Sequence, residues 1–160
     1  FLKMTQQPSV IETYRELFSK TISNDPNDQT QALLQIEEAM TKENRPDFIF
    51  SCFCILQNYK DLDEIFIKQT ILYLNMAFSP DNDEQLISNI WKIQWRTTEH
   101  NNPNAKQNSE LKNGIKNICL ELFRYPNEVI QQLSSECLSR ISIYSLILGF
   151  VISSFFNKST

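Results

Sequence analysis

Four cysteines and one histidine carry the most reactive chemistry in this sequence: Cys52, Cys54, Cys119, Cys137 and His100. The cysteines form no C-x-x-C pair and the histidine stands alone in a polar segment, so their spacing does not match a zinc site. The first residues contain no apolar run of the kind that begins a secretory signal. We therefore expect reduced thiols that pack as small apolar side chains.

No arrangement of residues in the sequence predicts catalysis. His100 lies in an asparagine-rich segment without a fixed partner, and nothing resembles a nucleophile beside its base. Only two glycines occur, Gly114 and Gly149, and phosphate loops and dinucleotide fingerprints need more. We predict that the chain is not an enzyme and that it holds no cofactor and no metal ion.

The formal net charge of −4 bears on the class of partner. A surface that binds phosphates is basic, so nucleic acid is not expected as the main partner. An acidic chain suits a basic partner better, although an ordinary solvated surface gives the same balance of charges. The sequence leaves both interpretations open.

The spacing of turn residues and apolar residues predicts helices throughout the chain. With 160 residues and few glycines, the sequence has the length of one domain and the composition of a helical one. Short turns separate the amphipathic stretches, and no strand pattern of comparable strength occurs. The predicted helices run approximately over 9–22, 27–43, 46–57, 62–78, 86–95, 109–123 and from 128 onward, with an exposed loop over 97–108.

Each predicted helix carries an apolar stripe that we expect to be buried. Ser9 is predicted to cap the first helix, with Glu12 completing a capping box. The helix over 62–78 is apolar on more than one side, which predicts neighbours before and behind it. The main stripes are Val10, Tyr14, Leu17, Phe18 and Ile22; Ala32, Leu33, Ile36, Ala39 and Met40; Phe48, Ile49, Cys52, Phe53 and Leu56; Ile65, Phe66, Thr70, Leu72, Tyr73 and Met76; Leu111, Ile115, Ile118, Cys119 and Leu122; and Val129, Leu133 and Cys137.

Helix hairpins with such short turns cannot bury their apolar faces alone, but they can do so by stacking side by side. A pair period of roughly 35 to 45 residues is the range of HEAT and armadillo repeats. The predicted fold class is all-α, and we expect a HEAT/armadillo-like α-α superhelix of about three stacked antiparallel helix pairs over residues 5–140. No residue-level repeat is visible, so periodicity by itself leaves a closed helical bundle open.

Three stretches occur in an order that is typical of one family. The first is the helix Ala32–Ala39 with its Asn-Arg-Pro-Asp-Phe junction at 44–48. The second is the helical stretch over 67–76, and in the third Trp95 precedes the helix over 112–122. Together they resemble the opening repeats of the importin-β (karyopherin-β) family. The resemblance covers approximately residues 11–137. Two features depart from the family: Asn75-Met76, where Lys-Asn is frequent, and a longer insert over 97–108.

The resemblance implies a nuclear transport receptor of the cytoplasm and nucleus, of which this chain would hold the first repeats. In that family the inner helices bind the small GTPase Ran in its GTP form. The outer helices contact the FG repeats of nucleoporins, and the full arch holds a cargo protein or adaptor. The alternatives are a tail-anchored scaffold and a generic helical-repeat scaffold, either of which would mediate protein–protein interaction.

On this resemblance the inner helices are 27–43, 61–78 and 127–140. Lys68 and Asn75 lie seven residues apart, two turns along one face, and are the predicted polar contacts to Ran. The alternative is a solvated lysine and an asparagine that caps a helix end.

An FG-repeat phenylalanine would need an apolar slot between outer helices. Phe50, Phe53 and Tyr59 could line such a slot. We expect a core position for these aromatic residues instead, because burial is the commoner fate of phenylalanine.

Residues 141–160 form an apolar C-terminal helix or tail. Ile141 to Phe156 contains 16 residues without a charge, which as a helix would measure about 24 Å, shorter than a typical span of about 20 residues. We favour the unpartnered end of a truncated repeat over a tail anchor, and a membrane is a partner only on the anchor interpretation. We also expect the natural start at Met4 and a longer parent protein.

Overall fold

The computed structural model describes residues 7–41, 43–78 and 105–141, with residues 7–9 and 105–109 described by their backbone alone. Every regular element in these ranges is helical, which confirms the all-α class for the described part of the chain. The chain divides into two units between Ala77 and Phe78, and each has its own packing.

The helices in these ranges are α1 (Gln7–Thr21), α2 (Pro26–Ala39), α3 (Arg45–Leu56), α4 (Glu64–Phe78), α5 (Ala105–Leu122) and α6 (128–141). A 3₁₀ turn, Tyr59–Asp61, lies between α3 and α4. The predicted helix over 86–95, His100 and the tail beyond Ile141 lie outside the described residues.

The start of α1 differs from its prediction. The helix begins at Gln7, so Ser9 lies inside it and not at its cap. Pro8 is compatible with this start, because the first N–H groups of a helix have no acceptor within it. The predicted capping box of Ser9 and Glu12 is therefore wrong.

Three helices begin at an Asp or Asn side chain that accepts backbone N–H groups. Asp25 accepts the N–H of Asn27 at 2.9 Å before α2, and Asp63 accepts the N–H of Phe66 at 3.2 Å before α4. Asn127 accepts two N–H groups of the first turn of α6, at 3.0 and 3.1 Å. These caps satisfy donors that would otherwise have no partner in the helix.

Helix α2 ends earlier than predicted. It stops at Ala39 and not at Glu43, because two polar side chains take the carbonyl oxygen of Glu38. The Thr41 hydroxyl donates to it at 2.9 Å and the Asn44 amide at 3.1 Å. Side chains of this kind compete with the helical hydrogen bonds and favour a turn.

Phe18 of α1 is fully buried in the first unit. Two aromatic rings of α4 contact it. Its ring centroid lies 4.8 Å from that of Tyr73 and 5.9 Å from that of Phe66. On α1 itself, Tyr14 lies 5.6 Å from Phe18 and 5.8 Å from Phe48 of α3. Helix α1 also packs against α2 and α3, so these rings join several helices around one core.

A buried guanidinium connects the ends of two helices to the start of a third. Arg45 is the first residue of α3 and is buried. Its Nε donates to the carbonyl oxygen of Met40 at 2.8 Å, and its Nη1 donates to that of Ala77 at 3.4 Å. Both oxygens lie at helix C-termini, where the helix dipole is negative and a cation is stabilising.

The predicted stripe is confirmed throughout α3, where Phe48, Ile49, Cys52, Phe53 and Leu56 are all buried. Elsewhere the stripes are confirmed in part, and several of their large residues are exposed. The exposed residues are Ile22, Leu33, Ile65, Leu72, Met76 and Val129.

In the second unit, α5 begins at Ala105, inside the loop predicted over 97–108. Alanine, lysine and glutamine are good helix formers, so the helix includes this first turn. Its predicted stripe is buried at Ile115, Cys119 and Leu122.

The predicted stripe of α6 is confirmed in part, at Cys137. Val129 is exposed, and Ile130, Ser134, Cys137 and Ile141 are buried. A serine fits this apolar stripe because its hydroxyl donates to the carbonyl oxygen of Ile130 at 2.7 Å.

We expect Phe18→Ala to lower the free energy of unfolding by about 3–5 kcal/mol, because it removes the ring at the centre of the aromatic contacts. Urea unfolding followed by far-UV circular dichroism measures this. Phe123, which is more than half exposed, gives a matched control, and Phe123→Ala should change stability by less than about 0.5 kcal/mol. Equal losses in the two variants would contradict the assigned core.

We expect Arg45→Met to lower the free energy of unfolding by about 2 kcal/mol, because the carbonyl oxygens of Met40 and Ala77 lose their donor. Arg45→Lys should lose less stability than Arg45→Met, because lysine keeps the positive charge but has a different side-chain geometry. Arg124 is exposed, so Arg124→Met serves as the control in the same unfolding series. An Arg45→Met protein as stable as the wild type would contradict the role of this residue.

Candidate protein-binding surface

The start of α4 is fixed to α1 by charge and aromatic contacts. Nη1 of Arg15 lies 3.7 Å from Oδ1 of Asp63, and its guanidinium carbon lies 5.2 Å from the centroid of the Phe66 ring. One turn later, Nε2 of Gln69 donates to the carbonyl oxygen of Phe18 at 3.0 Å. The contacts of Phe66 and Gln69 therefore hold α4 against α1.

Helix α4 exposes a row of large apolar residues, Ile65, Leu72 and Met76, on the face that also carries Gln69, and we call this row the α4 stripe. Each is between 44% and 57% exposed. Spacings of seven and four residues place them along one face. The sequence predicted all three as buried, and the structure corrects this. Because α4 is apolar on several sides, the packing in this unit covers only part of its apolar surface.

The end of α1 lies beside the α4 stripe. Gln69 Nε2 also donates to the hydroxyl of Thr21 at 3.3 Å. Ile22 follows Thr21 and is 61% exposed. Exposed apolar surface of this kind on a globular unit commonly marks a site of protein interaction.

The structure separates the two residues predicted to contact Ran. Lys68 is half-buried and lies three residues after Ile65 and four before Leu72, at the edge of the α4 stripe. Asn75 is only 4% exposed. Of the pair, Lys68 alone reaches the surface in this structure, and a Ran contact of either residue stays a prediction.

The aromatic residues considered for an FG-repeat slot differ in burial. Phe53 is buried, which confirms the expected core position, and Phe50 and Tyr59 are half-buried. An FG contact at these residues also stays a prediction.

The thiols and one phenol of the first unit are held in their neutral forms. Cys52 and Cys54 are free and buried. Burial raises the pKa of the Cys52 thiol far above its usual range, and a charge on Cys54 would raise it further. Burial also raises the pKa of Tyr14, although a hydrogen bond with Ser51 acts in the opposite direction. A neutral thiol is a poor nucleophile, so this geometry favours packing over chemistry.

The described residues contain neither a cluster of metal ligands nor a helix that could span a membrane. No three side chains among His, Cys, Asp and Glu converge to hold a metal ion in residues 7–41, 43–78 and 105–141. Within the same part of the chain, no helix has both the length and the apolar character needed to cross a bilayer.

We expect iodoacetamide to leave Cys52, Cys54, Cys119 and Cys137 unmodified in the folded protein near neutral pH and to modify all four in urea. All four are free and buried, so each must be exposed by an opening of the structure before it reacts. Intact-mass spectrometry counts the modified thiols. Modification of the folded protein at the rate of a free thiol would contradict this burial.

The same burial predicts a dependence of stability on pH. Folding raises the pKa of Cys52. The neutral thiol therefore contributes fully to the free energy of unfolding below the pKa of an unfolded thiol, about 8.5. This contribution is lost as the pH rises above that value. Cys52→Val should weaken the loss of unfolding free energy between about pH 8.5 and pH 10.

Comparisons with protein-family models, with curated proteins and with solved structures give no match to this chain.

Proposed function

We propose that this chain is the N-terminal part of a nuclear transport receptor of the importin-β kind and binds Ran in its GTP form through the α4 stripe and Lys68. The observation that carries the proposal is the row of exposed apolar residues on α4, with a lysine at its edge. Helix α4 corresponds to one of the inner helices implied by the resemblance.

The arrangement of helices in the first unit is compatible with the stacked antiparallel pairs of this proposal. Residues 22–25 connect α1 to α2, and α1 packs against both α2 and α3. Short connections of this kind are typical of helix hairpins in helical repeats. The finer fold that we propose is the HEAT/armadillo superhelix with about three repeats.

The chemistry of the α4 surface suits a protein partner. Ile65, Leu72 and Met76 can bury apolar area against it, and the Lys68 ammonium can pair with a carboxylate. Nucleoporin FG repeats and a cargo protein or adaptor are the further partners implied, with a location in cytoplasm and nucleus.

A generic helical scaffold is the second candidate, and the burial of Asn75 favours it. With Asn75 inside the unit, the accessible surface of α4 is mainly apolar, with Glu64 and Lys68 as its charged residues. Such a surface offers fewer polar contacts than the two that the resemblance implies, so it can also bind an apolar partner other than Ran.

We expect the full chain to retain Ran loaded with a non-hydrolysable GTP analogue and not Ran loaded with GDP. Lys68→Glu should weaken this binding by about 5- to 150-fold, because a pair with a charged group contributes about 1–3 kcal/mol. Biolayer interferometry with immobilised chain measures both affinities.

Lys116→Glu provides the control. Lys116 is half-buried like Lys68 but lies on α5, in the other unit. Equal binding of the two nucleotide forms, or no binding of either, would exclude the transport-receptor proposal. An unchanged affinity in Lys68→Glu with preserved GTP preference would remove Lys68 from the contact.

A further inference from the structure

Two large apolar side chains lie exposed at the C-terminal end of α5, in the second unit. Leu120 is 52% exposed and Phe123 is 55% exposed. The N–H of Phe123 donates to the carbonyl oxygen of Cys119 at 2.9 Å, so the helical path continues past Leu122, the last residue of α5. Leu120 and Phe123 are therefore neighbours on one side of the helix.

The buried stripe of α5 does not include this apolar pair. Ile115, Cys119 and Leu122 are buried, and Leu120 and Phe123 each follow a buried residue by one position. One residue turns an α-helix by about 100°. The apolar pair therefore lies beside the core stripe, and the packing of the second unit leaves it in solvent.

Basic residues lie at both ends of the apolar pair. Lys116 precedes Leu120 by four residues and Arg124 follows it by four, so the three lie along one side of the helix. Leu120, Phe123 and Arg124 line one concavity of the surface, and Arg124 is exposed. We call Lys116, Leu120, Phe123 and Arg124 the α5 face.

The acidic residues of α5 lie on a different side from Lys116. Glu110 lies six residues before Lys116 and Glu121 five residues after it, which places them about 120° and 140° around the helix from it. No acid stands three or four residues from Lys116, so α5 itself places no carboxylate next to this lysine. Glu121 also lines the concavity, but it lies nearer Arg124, which follows it by three residues.

A second lysine adds to the positive charge of this side. Lys112 lies four residues before Lys116 and is half-buried. Burial lowers the pKa of Lys112, and the charge of Lys116 lowers it further. Residues 111–124 contain three basic side chains and one acidic one, in a chain whose net charge is −4. This segment is thus locally basic, and an anionic group from outside would offset the repulsion between the two lysines.

We propose that the α5 face binds an acidic amphipathic helix of a partner protein. Apolar residues of that helix pack against Leu120 and Phe123, and its carboxylates pair with Lys116 and Arg124. The two cations are eight residues apart, about 12 Å along the axis of α5, and carboxylates two turns apart on a second helix match this distance. Charge complementarity selects this class of partner over a basic or an uncharged one.

The experiment measures the binding of three synthetic peptides to the full chain by fluorescence anisotropy. In the first peptide leucines repeat every three to four residues and glutamates occupy the neighbouring turns. In the second, lysines replace the glutamates, and the third is an uncharged phenylalanine-glycine repeat. We expect binding of the glutamate peptide alone, weaker at high salt because exposed ion pairs are screened.

Charge variants locate the binding. Lys116→Gln combined with Arg124→Gln should weaken binding of the glutamate peptide by about three- to tenfold, the range for two surface ion pairs. Lys20→Gln combined with Lys60→Gln removes two exposed cations from the first unit and should leave the affinity unchanged.

An apolar variant tests the other part of the contact. Leu120→Ala should weaken binding of the glutamate peptide by about two- to fivefold, because less apolar area is buried. Leu34→Ala changes a leucine of similar exposure in the first unit and should leave the affinity unchanged.

Four results would overturn the inference. The first is a glutamate peptide that does not bind, or that binds no better than the lysine or the phenylalanine-glycine peptide. The second is an equal loss in the two glutamine double variants. The third is a dimer of the unliganded protein that Phe123→Ala dissociates in sedimentation velocity, since a second copy of the chain would then occupy the α5 face. The fourth is a loss of peptide binding in Lys68→Glu, which would place the peptide on the α4 stripe.

The inference does not depend on Ran binding, because α5 lies in the second unit. Lys116→Glu should weaken peptide binding and leave Ran binding unchanged, whereas Lys68→Glu should do the reverse. A failure of this inference and a failure of the proposed function can therefore be told apart.

Discussion

The packing of the first unit depends on how a single buried cation is satisfied. Among the described residues, Arg45 is the charged side chain that is buried. Removing an ion from water costs several kcal/mol unless hydrogen bonds replace its hydration. The guanidinium obtains such bonds from the carbonyl oxygens of Met40 and Ala77. It therefore requires the ends of α2 and α4 to lie close to the start of α3.

The sequence predicted the helical class and the stripe of α3 because neither depends on distant residues. Turn residues separate the helices, and α3 is apolar on nearly every side, so any packing buries Phe48 and Phe53. The end of α2 was predicted wrongly, since helical periodicity continues to Glu43 and only the hydrogen bonds of Thr41 and Asn44 end the helix earlier. The spacing of apolar residues carries no information about these side-chain hydrogen bonds. Residues 44–48, which resemble a motif of the family, form the connection from α2 into α3.

The candidate site was predicted in part, and side-chain length explains the difference. Lys68 and Asn75 were placed on one face because seven residues make nearly two turns. Lysine has a long aliphatic stem that brings its ammonium to solvent from a partly covered position. Asparagine is short, so at a similar angle on α4 it stays below the surface. The α4 stripe was missed for another reason. Its residues look like core residues, and only the tertiary packing decides which side of an apolar helix remains exposed.

Helices α2 and α4 have C-terminal ends that share one donor. Met40 ends α2 and Ala77 lies in the last turn of α4, and Arg45 donates to both. Moving either helix end would leave a buried cation or a buried carbonyl group with fewer hydrogen bonds, which is costly. The α4 stripe is thus held on a preformed framework, so binding through it would not require the free energy of ordering that helix.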